Sequence, residues 1–316
     1  CLVRDPVGGQ LLEGLGLIRR ISRMLGIGFL AAASIAHAGK ASMVDGFAAL
    51  RAADDGTLAQ GVRLAELERR YSERIAPGLA TPDSLSNGDL AAAFEATDML
   101  AFYALHGTQA QLEHYVEAMS RILDVIVARR AVTPRQAGMM FDAFASSRAF
   151  DAARRLAERH PAELIGKSVP RLVYARRFDA SRPAVLELKD DGTLLARNVE
   201  RRGDHIVAVV GCRASQNALD DIKASDQLAS AFSRFRTYWL IPADRMTEAS
   251  FLREWNARNP GQPAMFAYAN AAWTNVAFDA MPRFQRFDGE QRIANVRGWE
   301  PGGSAAQLAA LFDPVG

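Results

Sequence analysis

Cys212 and Ser215 stand three residues apart where an apolar stretch ends and a helical pattern begins, in His205-Ile-Val-Ala-Val-Val-Gly-Cys-Arg-Ala-Ser-Gln-Asn-Ala-Leu-Asp-Asp-Ile222. A thiol at the start of a helix meets unpaired backbone N–H groups and the positive end of the helix dipole, both of which favour a thiolate. Such a sulfur can attack a disulfide or be oxidised to a sulfenic acid. Ser215 occupies the position where a Cys-x-x-Cys pair carries its second thiol, so this site cannot close an internal disulfide. Arg213 adds a positive charge beside the sulfur. A free cysteine is also a common, inert core residue, and exposure and thiolate character decide between the two.

The remaining chemistry-bearing residues form no second constellation. His37, His106, His114, His160 and His205 lack metal-ligand spacing, and no metal or cofactor is expected. His205 opens the strand that Cys212 closes, so a Cys–His pair is disfavoured. Gly298, Gly302 and Gly303 do not have phosphate-loop spacing. Asp190-Asp191 and Asp220-Asp221 read as a turn and a solvated helix face. All four tryptophans, Trp239, Trp255, Trp273 and Trp299, fall in the C-terminal half. Trp239 reads as core, whereas Trp273 and Trp299 lie near Met281-Pro282 and are candidates to line a binding surface beside Cys212.

Two grammars position these residues. From about 41 to 165, apolar residues recur at three- and four-residue steps, with breaks at Pro77-Gly78, His106-Gly107 and Arg129-Arg130 and a restart at Thr133-Pro134. The pattern predicts antiparallel helical hairpins whose core includes Phe94, Met99, Phe102, Tyr103, Met139 and Met140. After Pro170 short strands alternate with helices. A hairpin is expected around Lys189-Asp-Asp-Gly192, then a strand over 206–210, a helix over 215–232 and a strand over 237–241. A helix over 247–258, a hairpin around Asp288-Gly289 and a final helix over 305–312 follow.

The 316 residues, with 49% hydrophobic and 23% charged side chains, suit about two soluble domains. A net charge of +2 without a basic block argues against nucleic acid as the main partner. Residues 1–38 read as a secretory leader with an upstream extension. Arg19, Arg20 and Arg23 precede an uncharged run that ends in Ala36-His37-Ala38, and the run is too short for a stable membrane span. The expected location is therefore outside the cytoplasm, in the periplasm. Cleavage after Ala38 would remove Cys1 and leave Cys212 as the one thiol.

The order of elements from about Ala184 to Phe312 is similar to the thioredoxin-like fold. Cys212 follows the first central strand, Met281-Pro282 precedes the Arg283 strand where that superfamily places a cis-proline facing the thiol, and Arg297-Gly-Trp-Glu-Pro301 resembles its glycine turn. The hairpin around Gly192 looks like the entry segment of the exported thiol-reductase branch. The stretch from Phe144 to Pro161 resembles half of a tetratricopeptide-type hairpin, without a fixed repeat period. The fold class expected is an all-α helical-hairpin domain over 39–168 followed by a thioredoxin-like α/β domain over 169–316. The resemblance implies thiol–disulfide chemistry on protein or peptide substrates. Cys212 would be the nucleophile and Ser215 its hydrogen-bond partner. Pro282 with Met281 would orient substrate backbone, and Arg213 would lie beside the substrate. Gly211-Cys-Arg-Ala-Ser215 departs from the usual Trp-Cys-x-x-Cys, so an external thiol such as glutathione would have to release the mixed disulfide. The alternative is a redox-inactive adaptor that keeps the fold as a docking surface, with the helical domain holding a protein partner.

Overall fold

The computed structural model describes residues 42–244, 249–300 and 304–312. The expected leader, the expected helix opening at Thr247-Glu248, and Pro301, Gly302 and Gly303 lie outside the described residues. The described residues belong to one compact unit of mixed α+β class, a helical region followed by a sheet.

Six helices form the first region: α1 (Met43–Ala52), α2 (Gln60–Arg74), α3 (Asn87–Ala104), α4 (Gln109–Ala128), α5 (Pro134–Ser146) and α6 (Phe150–Arg159). Thr108 with Gln111 and Thr133 with Gln136 build capping boxes that satisfy backbone donors at the starts of α4 and α5. Leu90, Phe94, Leu100, Met119, Ile122 and Met140 fill the core between these helices. Met99, Tyr103 and Met139 pack partly buried against it. Phe102 departs from expectation. It is 41% exposed, because α3 buries the face carrying Leu90, Phe94, Thr97 and Ala101 and Phe102 falls beside it. Among the described residues no helix is long and apolar enough to cross a membrane.

The second region is an eight-stranded mixed sheet: β1 (Leu172–Tyr174), β2 (Ala184–Leu188), β3 (Leu194–Asn198), β4 (Asp204–Val209), β5 (Arg236–Ile241), β6 (Ala264–Ala267), β7 (Arg283–Asp288) and β8 (Gln291–Arg297). Their spatial order is β1-β3-β2-β6-β5-β4-β7-β8. Strands β4, β5 and β6 run parallel, and β7 lies antiparallel to β4 with Val209 opposite Arg283. The hairpin expected around Gly192 joins β2 to β3, and Gly192 takes φ +79°, which a side chain would disfavour.

Alternate residues of the central strands face opposite sides. Ile206, Ala208, Trp239 and Phe284 point to one layer, where they meet Leu219, Phe232, Leu252, Trp255 and Leu308. These come from α7 (Arg213–Ala224), α8 (Asp226–Ser233), α9 (Ala249–Arg258) and α10 (Ser304–Ala309). Val207, Val209, Tyr238 and Leu240 face the other side, beneath Trp273, Val276, Phe278 and Met281. The single helix expected over 215–232 is two helices, because Ser225 breaks the run and its Oγ accepts the Leu228 N–H at 3.3 Å. Strand β6 was not expected. Four residues between Pro263 and Tyr268 are too few for a periodicity to declare itself.

The two regions are tied at the end of the sheet where β5 and β6 finish. Phe150 of α6 enters the core between the sheet and its helices. Buried Asn270 accepts the Ala243 N–H at 2.8 Å and donates to the carbonyls of Ala243 (3.1 Å) and Leu105 (3.3 Å). Asn270→Ala would leave these backbone groups without a partner, so unfolding in urea is expected to show a loss of about 1–3 kcal/mol. A loss within measurement error would show that the three bonds are replaced at no cost.

Candidate functional site

Strand β4 delivers the chain to its C-terminal end, and Gly211 turns it there with φ +152°, a conformation side chains rarely adopt. Cys212 is the N-cap of α7 with extended backbone (φ −135°, ψ 173°), and its side chain makes no capping bond. The sulfur is instead held from two sides. Sγ lies 3.3 Å from Ser215 Oγ and 3.4 Å from the Met281 carbonyl oxygen. Ser215 is fully buried, and its Oγ also accepts the Gly211 N–H at 3.3 Å. These contacts form a chain from the Gly211 amide through both side chains to Met281, in which the thiol donates to the carbonyl. Cys212 itself is half-buried and is the one free cysteine among the described residues.

The opposing segment is fixed by its neighbours. The Met281–Pro282 peptide bond is cis, and Pro282 is buried. Its carbonyl accepts the Gly298 N–H at 2.9 Å. Buried Gln285 of β7 accepts the Ala277 N–H at 2.9 Å and donates to the Ala277 carbonyl at 3.1 Å. Arg283 pairs with Asp279, so both ends of the Met281-Pro282 turn are anchored to β7.

The sulfur opens onto a groove of about 660 Å³ between α7 and α9. Arg213, Gln216, Asn217 and Asp220 form its α7 wall, at the three- and four-residue spacing of one helix face. Phe251, Glu254 and Arg258 form its α9 wall, also on one face. The sequence named Arg213 here. It held no signal for the α9 wall, because nothing in it says that α9 packs beside α7.

The structure brings together Cys212, Ser215, Arg213, Met281 and Pro282, whereas Trp273 is sealed in the core. Trp273 is 1% exposed, and its indole N–H donates to the Ala184 carbonyl at 3.1 Å. It has no surface to offer a ligand and packs edge-on against Tyr238. Trp299 is half-buried on the face of the sheet that α7 covers, edge-on to Phe284. Its indole N–H donates to Asp221 Oδ2 at 2.8 Å, so Asp221 anchors the segment after β8 and is not a solvated carboxylate. Met281 meets the sulfur through its backbone oxygen.

His205 lies at the opposite end of β4, stacked on Phe287 at 5.4 Å with Nδ1 2.9 Å from the Gly203 carbonyl. Burial holds its pKa below the ordinary histidine value, aided by the Arg201 guanidinium and opposed by the Gly203 carbonyl. No group of three or more His, Cys, Asp or Glu residues able to hold a metal occurs among the described residues. Among the described residues, fold and site define a mixed α+β protein with one half-buried thiol at a strand-to-helix junction. No family model, curated protein or solved structure matches the chain.

Two outcomes are expected. A histidine whose folded pKa is depressed leaves stability intact above its unfolded pKa of about 6.5, and stability falls as pH drops from there toward the folded value. Urea midpoints are therefore expected to fall between about pH 7.5 and about pH 5.5, and to fall less in His205→Asn. A residual slope is expected from His106, whose pKa is lowered by desolvation. An unchanged slope would remove His205 from this account. Separately, Ser215→Cys is expected to form a disulfide with Cys212 under mild oxidation, read as a loss of two hydrogens by mass. Failure to oxidise would show that the two side chains do not face each other.

Proposed function

We propose that this protein carries out thiol–disulfide exchange at Cys212 through a thioredoxin-like site that has lost its resolving thiol. The observation that carries this reading is the placement of Sγ between Ser215 Oγ and the Met281 carbonyl, at the mouth of an open groove. The order of β5, β4, β7 and β8, with the sulfur after β4 and the proline before β7, supports the same reading.

In the proposed reaction the Cys212 thiolate attacks one sulfur of a substrate disulfide R–S–S–R′. The S–S bond breaks, R′–S⁻ leaves and takes up the proton that Cys212 gave, and a Cys212–S–S–R mixed disulfide forms. Ser215 cannot attack this intermediate. An external thiol, for which glutathione is the model compound, attacks the R sulfur and releases Cys212 as the thiol. The net change is R–S–S–R′ + G–SH → R–S–S–G + R′–SH, with no change in the oxidation state of the protein. Ser215 hydrogen-bonds the reacting sulfur, Met281-Pro282 presents backbone to the substrate, and Arg213 lines its path. The leader pattern in residues 1–38 supports action outside the cytoplasm, on protein or peptide disulfides.

The test is exchange between bis(2-hydroxyethyl) disulfide and glutathione, with adducts located by mass spectrometry. A mixed disulfide on the peptide carrying Cys212 and a rate loss of at least about 100-fold in Cys212→Ser are expected. Equal rates for wild type and Cys212→Ser would overturn the reaction. Partners captured from extracts equally well by Cys212→Ser would instead favour the adaptor, in which the fold docks a protein without using its sulfur.

A further inference from the structure

A second site lies on the other side of α9. A cavity of about 410 Å³ sits between α5, α6 and the end of β6. Phe141, Phe150 and Phe266 supply its apolar wall, and Arg148, Lys167 and Arg253 its cationic one. Asp142 and Asp244 also line it, and Lys167 pairs with Asp142 at 2.7 Å. Among the described residues, these three cations and two carboxylates leave one positive charge in excess. Small-molecule sites often lie at the junction of two structural regions and present a few convergent polar groups beside apolar side chains.

Arg148 is the unusual member. It stands between α5 and α6 with φ +66°, a left-handed conformation that costs a non-glycine residue stability. Its side chain is 9% exposed. Nε donates to the Tyr268 carbonyl (2.9 Å), Nη2 to Ala267 (2.6 Å) and Nη1 to Ala145 (3.4 Å). All three acceptors are neutral, and two of the five guanidinium N–H groups remain. Burial pulls its pKa down to about 10, opposed by the charge of the Asp244 carboxylate. An anion placed against those free N–H groups would recover part of the cost of burying the charge. Phe266 lies 5.9 Å from the guanidinium carbon, so ring and charge are presented together.

We propose that this cavity binds a small monocarboxylate with an aromatic body, its carboxylate on Arg148 and Arg253 and its body against Phe141, Phe150 and Phe266. The site is separate from the sulfur chemistry and does not depend on it. Arg253 is the solvent-side partner, exposed on α9, and gives the anion its entry.

Isothermal titration with naphthalene-2-carboxylate, and with naphthalene-2-carboxamide as the neutral control, tests this. Saturable binding of the carboxylate is expected, at least about tenfold tighter than the amide, since one charge-assisted pair is worth about that much. Arg253→Gln is expected to weaken carboxylate binding several-fold with an unchanged melting temperature. Ala145→Trp, which fills the cavity and keeps every charge, is expected to abolish it. Arg148→Met is expected to lose binding but also stability, so the other two variants decide the matter. Equal affinity for carboxylate and amide, no binding at millimolar probe, or binding unaffected by both Arg253→Gln and Ala145→Trp would each overturn the proposal.

Discussion

The antiparallel pairing of β4 with β7 is the constraint on which the site depends. With Val209 opposite Arg283, the chain leaving β4 and the chain entering β7 emerge side by side at one end of the sheet. Cys212 is then three residues beyond one strand and Met281 two residues before the other, and sulfur meets carbonyl at 3.4 Å. A one-residue slip would exchange the two faces of β7 and put Arg283 or Gln285 where Phe284 packs. Such a slip is opposed on both faces, by Phe284 among the helices on one side and by Gln285 bonded to both backbone groups of Ala277 on the other. The contact between Cys212 and Met281 therefore follows from the register of the core strands.

Helix α9 has a second role in this arrangement. Its apolar residues Leu252 and Trp255 are fully buried against the sheet, which fixes its rotation. That rotation sends Glu254 and Arg258 toward the sulfur groove and Arg253 toward the cavity under the helical region. One helix thus forms a wall of two separate hollows. Arg148, bonded from the helical region to the end of β6, holds the far side of the second hollow in place, and Asn270 ties the two regions beside it.

The parts of this structure written in local pattern were legible in the sequence. Cys212 at a strand-to-helix junction, the turn at Gly192 and the capped starts of α4 and α5 each follow from a few adjacent residues. The proline before β7 was legible for the same reason. Trp273 shows where such reading stops. Its distance from Met281 along the chain suggested a surface, but the partner that buries it, Ala184, is 89 residues away. Arg148 could not be found by pattern at all, since neither a left-handed backbone at an arginine nor the burial of a guanidinium has a sequence signature. Strand β6 is recognisable only once β5 and β2 stand on either side of it.

The central claim is that Cys212 is presented to solvent by the native fold and held there between Ser215 and Met281. Native-state alkylation with iodoacetamide, followed on the peptide carrying Cys212 as stability is lowered with urea, measures this directly. The account requires a reaction in the absence of denaturant whose rate is insensitive to global stability. A rate that rises in step with the population of unfolded chains would mean that the sulfur is sealed in the folded protein, and the account would be wrong.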